Sequence, residues 1–167
     1  MILENYYQLP LLRRLHQKEK ISFCSGTFDL AHPGHGLFFE DAKEHSDLLV
    51  VLVANNSIIT KRKGQERPVY NQYVRLKAVD LMKPVDYCIL QSEEIPDKRD
   101  YLSPLYPVLE KLKPNRWVFN SDAFDIEKRK GVAKKYGVEM VILERRCPPE
   151  FENISTTSII EKIRRLK

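Results

Sequence analysis

The sequence lacks any apolar stretch able to cross a bilayer. Its longest purely apolar run, Leu48 to Ala54, has seven residues. A membrane-spanning helix needs about 20, so this run suits a buried strand instead. No basic segment followed by an apolar stretch and a small-residue cleavage site opens the chain. No signal peptide is therefore expected, and the expected setting is cytoplasmic, with no membrane partner. The three cysteines, Cys24, Cys88 and Cys147, form no C-x-x-C pair. Neither a disulfide framework nor a zinc site is suggested. Cys24 and Cys88 fall inside apolar runs and read as core residues, because free cysteine packs as a small hydrophobe. No block of five like charges appears, so no nucleic-acid arm and no nucleic-acid partner are expected. Internal repeats and low-complexity segments are absent as well.

What is present is ordinary in bulk. Apolar residues make up 43% and charged residues 31%, as in soluble globular proteins. A length of 167 residues fits a single domain, 1–167, around one core. The 28 Lys and Arg exceed the 23 Asp and Glu, for a net charge of +5. That excess favours anionic ligands in general, and a nucleotide satisfies it as well as a nucleic acid does.

Strand-like and helix-like patterns alternate. Within a lead-in segment, 1–20, Leu9 to Lys18 reads as a short amphipathic helix. Strands are expected at Ile21 to Ser25, Leu48 to Ala54, Asp86 to Leu90, Arg116 to Asn120 and Val138 to Leu143. Helices are expected at Gly34 to His45, Tyr70 to Met82, Pro104 to Leu112, Asp125 to Tyr136 and Thr156 to Arg165. Leu37, Phe38 and Ala42 read as the inner face of the first of these. Thr60 to Arg67 reads as a polar loop, and Gln91 to Ser103 as a charged one. The alternation implies parallel strands joined by right-handed crossovers. The expected fold is a three-layer α/β/α Rossmann-like sandwich with a parallel sheet of about five strands. Such sheets bind ligands beyond the carboxyl ends of their strands, where strand order reverses.

The first such end leads into Gly26-Thr27-Phe28-Asp29-Leu30-Ala31-His32-Pro33-Gly34-His35. Gly26 allows close approach of a ligand to the backbone. The N–H groups at the start of the next helix form a natural phosphate site. His32 and His35 can point to one anion there. Alone, they also read as surface residues, or as half a metal site with no third ligand nearby. A second cluster, Lys61-Arg62-Lys63-Gly64-Gln65-Glu66-Arg67-Pro68-Val69, reads as a solvated basic loop or as a cationic clamp on phosphates. A third, Ser155-Thr156-Thr157-Ser158, is either a set of ordinary helix caps or a phosphate cradle. A fourth, Asn120-Ser121-Asp122, closes the fourth strand.

The string G-T-F-D-L-A-H-P-G-H resembles the signature of the cytidylyltransferase-like nucleotidyltransferases. The resemblance covers residues 21 to 166. It implies that His32 and His35 contact the phosphates and stabilise charge at the α-phosphorus. Gly26, Thr27 and Phe28 then form the turn around the nucleotide. Lys63 is similar to the phosphate-binding lysine of the family's K-G-x-x-R-P segment. Arg67 and Arg75 match acceptor-side arginines. Ser155, Thr156 and Thr157 resemble the I-S-T-T segment over the β- and γ-phosphates. Asp122 matches the acid of a G-G-D segment beside base or ribose, although Asn120 and Ser121 replace the glycines. The H-I-G-H and K-M-S-K-S pair of class I aminoacyl-tRNA synthetases uses the same logic, but this chain lacks their anticodon-binding parts.

Within the family, alcohol-phosphate cytidylyltransferases carry an arginine where this chain has Glu150. The strings Lys63 to Val69, Val85-Asp86 and Ser155 to Ile163 look more like the adenylyltransferase domain that makes ADP-activated heptose. The implied activity is transfer of AMP from ATP to a sugar phosphate such as heptose 1-phosphate, with release of pyrophosphate. Mg²⁺ arrives with the nucleotide, and no metal site of the protein's own is expected. A CTP-dependent cytidylyltransferase, an FAD-synthetase-like enzyme acting on FMN and a non-catalytic nucleotide sensor are the alternatives. A homodimer is expected, with the segment 5–18 packing against the partner subunit.

Overall fold

Six strands lie side by side, and every neighbouring pair runs parallel, in the order β1-β4-β3-β2-β5-β6. The computed structural model describes residues 1–44, 46–92, 100–152 and 154–166. The strands are β1 (Ile2–Leu3), β2 (Ile21–Gly26), β3 (Leu48–Val53), β4 (Tyr87–Leu90), β5 (Arg116–Asn120) and β6 (Glu139–Leu143). The helices are α1 (Gln8–Leu15), α2 (Pro33–Glu44), α3 (Asn56–Lys63), α4 (Gln72–Asp80), α5 (Tyr106–Leu112), α6 (Ile126–Tyr136) and α7 (Thr156–Arg165). A 3-10 turn, Ser103–Leu105, leads into α5. No helix among the described residues is long and apolar enough to cross a membrane.

Successive side chains of a strand point to opposite faces, and the core divides accordingly. Phe23, Val50, Leu52, Trp117 and Phe119 face Leu9 and Leu12 of α1, Leu109 of α5 and Ala133 of α6. Cys24, Leu49, Val51 and Val118 face Phe39 and Ala42 of α2 and Leu76 and Val79 of α4. The sheet is thus covered on both sides, which is why β3 is apolar at every position. The expected three-layer sandwich is the observed one. On α2 the buried pair is Phe39 and Ala42, while Leu37 and Phe38 are only partly covered.

Two elements differ from the sequence expectation. The sheet has six strands because Ile2 and Leu3 pair with Cys88 and Ile89. Two residues carry no readable periodicity, so only their partner strand reveals them. The first half of the expected polar loop, Thr60 to Lys63, is the end of α3. Asn55 caps that helix by accepting from the Ile58 N–H. The run Lys61, Arg62, Lys63 forms its last turn, where cations suit the helix dipole. Gly64, with φ of 92°, ends it. Of the expected loop from Gln91 to Ser103, residues 93–99 lie outside the described residues, as does His45 at the expected end of α2.

β2 has β3 on one side and β5 on the other. The chain leaves β2 toward β3 and returns later to β5, so strand order reverses between them. The crevice beyond Gly26 and Asn120 is where this topology binds ligands.

Candidate active site

The loop leaving β2 is tightly shaped. Phe28 and Leu30 both have positive φ, 51° and 47°. Side-chain-bearing residues avoid that region. The turn lays the Phe28 ring back over Gly26, where an added Cβ would stand 2.7 Å from Phe28 Cζ. The ring also meets Phe39 at 5.0 Å and His35, edge-on, at 5.4 Å. Gly26 is needed here for space rather than for backbone freedom.

Asp29 holds this loop to two distant segments. Its side chain is fully buried. One carboxylate oxygen accepts from the Tyr70 N–H at 2.9 Å. The other accepts from the Val69 N–H at 2.8 Å and from Arg67 Nε at 3.2 Å. The Asp29 carbonyl accepts from Thr156 Oγ1 at 2.8 Å. Sequence reading gave Asp29 no role, because neither its burial nor its partners show in the local motif.

His32 and His35 stack at 3.8 Å with their planes 25° apart. His35 Nδ1 accepts a long hydrogen bond, 3.4 Å, from the His32 N–H. That contact assigns the neutral His35 ring its proton on Nε2, leaving a donor for a ligand. His32 is buried, and its Nδ1 has no partner among the described residues. Burial, then the neighbouring His32, Arg145 and Lys63, push the His35 pKa down to about 3, with Asp29 opposing. Burial and then Arg145 lower that of His32. Both rings are therefore neutral at neutral pH.

These histidines line a cleft of about 390 Å³ with Gly26, Thr27, Phe28, Lys63, Arg67, Asp122 and Ser155 to Thr157. All but one of the site residues expected from sequence meet there. Lys63 ends α3 at the mouth. Partial burial, then Arg67 and Arg62 beside it, hold its pKa below the usual lysine value. Asp122 accepts from Arg145 Nε at 2.9 Å. Ser155 caps α7, its Oγ accepting from the Ser158 N–H at 3.0 Å, so its hydroxyl proton stays free to donate. Thr156 donates its hydroxyl to Asp29, and Thr157 is exposed at the cleft edge. A helix start leaves N–H groups without partners inside the helix. Those of Thr156 and Thr157 border the cleft and suit an anion.

Arg75 is the exception. It is fully buried and does not line the cleft. Its guanidinium donates to the carbonyls of Tyr70 at 3.0 Å and Thr27 at 2.7 Å, and to Asn56 Oδ1 at 2.9 Å. It clamps the floor beneath Thr27 instead of meeting an acceptor.

Two further cations complete the site. Arg145 follows β6 and lines the cleft beside the histidines. Arg129, on α6, lies 5.2 Å from the Trp117 ring and 5.1 Å from the Phe119 ring. It also lines a neighbouring cavity of about 200 Å³. No local pattern marks either residue; only the fold brings them here. Among the described residues no group of three His, Cys, Asp or Glu side chains is placed to hold a metal ion.

Comparison with known proteins gives the family. A family model described as cytidylyltransferase-like matches residues 23–162. An FAD synthase of Ferroglobus placidus is 35% identical over 141 residues, covering 84% of this chain and 85% of that protein. The bifunctional protein HldE of Pseudomonas paraeruginosa is 32% identical over 148 residues, covering 87% of this chain but 28% of that protein. Among solved structures, a lipopolysaccharide core biosynthesis protein from Thermoplasma volcanium superposes with a TM-score of 0.63 at 26% identity. That match covers 77% of this chain and 99% of the other. The matched span runs from the strand before the histidine loop to the helix that closes on it, and the chain belongs to the cytidylyltransferase-like family of nucleotidyltransferases.

Proposed function

We propose that the protein transfers AMP from ATP to a phosphorylated small molecule and releases pyrophosphate. The observation that carries this is the stacked, neutral pair His32 and His35, set in one cleft with the start of α7 and with Lys63 at its mouth.

An oxygen of the acceptor phosphate attacks the α-phosphorus in line. The new O–P bond forms as the bond from the α-phosphorus to the bridging oxygen breaks, and pyrophosphate leaves with that electron pair. Phosphoryl-type transfer asks mainly for positioning and charge stabilisation. His35 Nε2–H donates to the α-phosphate region, and His32 adds a donor once the anion favours its protonation. Lys63 and the N–H groups of Thr156 and Thr157 hold the β- and γ-phosphates. Arg67, held by Asp29, faces the same phosphates. Mg²⁺ comes with the triphosphate and neutralises its charge, so the phosphates themselves supply ligands to it.

The strings Lys63 to Val69 and Ser155 to Ile163 support a sugar phosphate such as heptose 1-phosphate as acceptor. The 35% identical FAD synthase supports FMN. The FAD-synthase relatives favour ATP over CTP. Exposed Leu11 and Leu15 on α1, with Tyr7 just before it, support the expected homodimer, although Leu9 and Leu12 of that helix are buried in the chain's own core. The cytoplasm stays the proposed setting.

The test is pyrophosphate release with Mg²⁺, crossing ATP, CTP, GTP and UTP against sugar phosphates, polyol phosphates and FMN. Turnover with ATP supports the reading. Turnover only with CTP replaces it with cytidylyl transfer. Nucleotide binding with no pyrophosphate from any pair points to a sensor.

A further inference from the structure

We infer that Arg129 binds the phosphate of the acceptor where the nucleotide cleft meets the second cavity, a substrate contact that no sequence motif marks. This rests on the transfer proposed above. The cleft adjoins two cavities. One, of about 200 Å³, shares Ser25, Gly26, Thr27, Lys63 and Arg129 with it. The other, of about 320 Å³, shares Lys63, Arg67 and Thr157. Among the described residues, Lys63 alone lines all three. In-line transfer puts the entering oxygen and the departing pyrophosphate on opposite sides of the α-phosphorus. With the β- and γ-phosphates at Arg67 and Thr157, the acceptor enters from the side of Thr27 and Arg129.

Arg129 differs from the other two arginines held in this part of the fold. Arg75 commits all three guanidinium nitrogens to protein oxygens, and Arg67 is paired with Asp29. Arg129 donates from Nε to the Phe124 carbonyl at 3.0 Å, and its two terminal nitrogens have no protein partner among the described residues. The carboxylate one turn earlier, Asp125, accepts instead from the Tyr101 hydroxyl at 2.8 Å and the Lys128 N–H at 3.1 Å. The guanidinium is half-buried and rests against two buried rings, 5.2 Å from that of Trp117 and 5.1 Å from that of Phe119. Burial makes its charge costly and lowers its pKa from the usual arginine value.

These features suit a phosphate. The N–H groups of a guanidinium match two phosphate oxygens at once. Aromatic backing and an Nε tether hold the group in place before the ligand arrives. An acceptor phosphate at the junction is therefore the anion that this cation takes. The cavity beyond is lined by apolar Ile58 and Leu105 and by polar Ser25 and Thr27. It receives the organic part of a small phosphate monoester that has both apolar and hydrogen-bonding surface.

The test uses the full chain, Mg²⁺-ATP and whichever phosphate monoester the acceptor panel above shows to turn over. Arg129→Met keeps apolar cover on Trp117 and Phe119 and removes the charge. It should raise the KM for the acceptor by about tenfold or more, the effect of one lost hydrogen bond to a charged group, and leave the KM for ATP unchanged. Arg129→Lys keeps the charge without the two-pronged donor and should recover part of that loss. Should the Met variant fail to fold, the Lys variant alone should still show a raised acceptor KM. Trp117 is the chain's single tryptophan and gives a second readout. With the cleft saturated by α,β-methylene-ATP, which cannot transfer AMP, inorganic phosphate should change its fluorescence saturably in the wild type and not in Arg129→Met. A raised KM for ATP with an unchanged acceptor KM assigns Arg129 to the nucleotide and overturns the inference. A lowered melting temperature with both KM values unchanged makes Arg129 a packing residue and overturns it as well, as does a wild-type fluorescence that phosphate leaves untouched. In all three cases nucleotidyl transfer stands. No pyrophosphate from any acceptor overturns the transfer reading and the acceptor contact with it.

Discussion

The hydroxyl of Thr156 donates to the carbonyl of Asp29 across 127 residues of sequence. One end of that bond belongs to the histidine loop and the other to the first turn of α7. The same aspartate holds Arg67 and the N–H groups of Val69 and Tyr70 through its carboxylate. Three segments that line the cleft are therefore positioned from one residue.

Asp29→Ala should be costly in two ways. It leaves buried N–H groups and the mostly buried Arg67 without their partner, a loss of about 3 kcal/mol. Thr156→Val removes one hydrogen bond and should cost about 1 kcal/mol. Thermal melts give the stabilities. Pyrophosphate release on the folded fraction should show a raised KM for ATP in Thr156→Val. An Asp29→Ala protein as stable as the wild type contradicts this account.

His35→Ala should lower kcat by about 100-fold, comparable with loss of one preorganised donor. The measurement is steady-state turnover at saturating ATP, with circular dichroism to show an intact fold. A fall of less than about threefold contradicts the role given to His35.

Stability should depend on pH through the histidine pair. Both folded pKa values are depressed, that of His35 to about 3, against about 6.5 in the unfolded chain. Between those values the unfolded chain binds the extra proton, so stability rises with pH. The contribution is complete above about pH 6.5 and is lost as pH falls toward 3. Melting temperatures across this window should therefore drop on acidification, and His35→Asn should flatten the profile. An equally steep profile in that variant places the dependence elsewhere.

Gly26→Ala should lower activity through Phe28. The new Cβ would stand 2.7 Å from Cζ of a ring that is itself packed on Phe39 and His35. A shift of that ring moves His35, and kcat should fall about tenfold, as small misplacements in active sites do. Gly36→Ala is the control: nothing lies within 4 Å of its added Cβ. Being inside α2, it should gain up to about 1 kcal/mol of stability.

Arg75→Ala separates a clamp from a binding residue. The side chain is buried, and its guanidinium bonds to Thr27, Tyr70 and Asn56. Stability should fall by about 3 kcal/mol, while the acceptor KM of the folded fraction changes little. A large rise in acceptor KM at unchanged stability restores the substrate contact that the sequence pattern implies.

The contrast between Arg75 and His35 shows what the sequence makes legible. His32 and His35 lie in one contiguous string at a strand-to-helix junction, so their shared target is readable without coordinates. Strand alternation and apolar β3 likewise reveal the layered sheet. Arg75 matches a motif position equally well, but burial of a cation leaves no trace in local sequence. Asp29 and Arg67 are 38 residues apart, and their pairing is set by the close of α3 and the turn after it. That helix was itself hidden by a polar, basic composition, with Asn55 as its cap. Arg129 and Arg145 reach the cleft only because α6 and β6 pack beside β5. β1 is too short to show a period.

The most direct test of nucleotidyl transfer follows the α-phosphate. ATP labelled at that position is incubated with Mg²⁺, the full chain and FMN or a sugar phosphate. The account predicts that the label enters a diphosphate-bridged product, with one pyrophosphate released per label transferred. Label that remains in ATP for every acceptor, or appears only as free AMP, contradicts it.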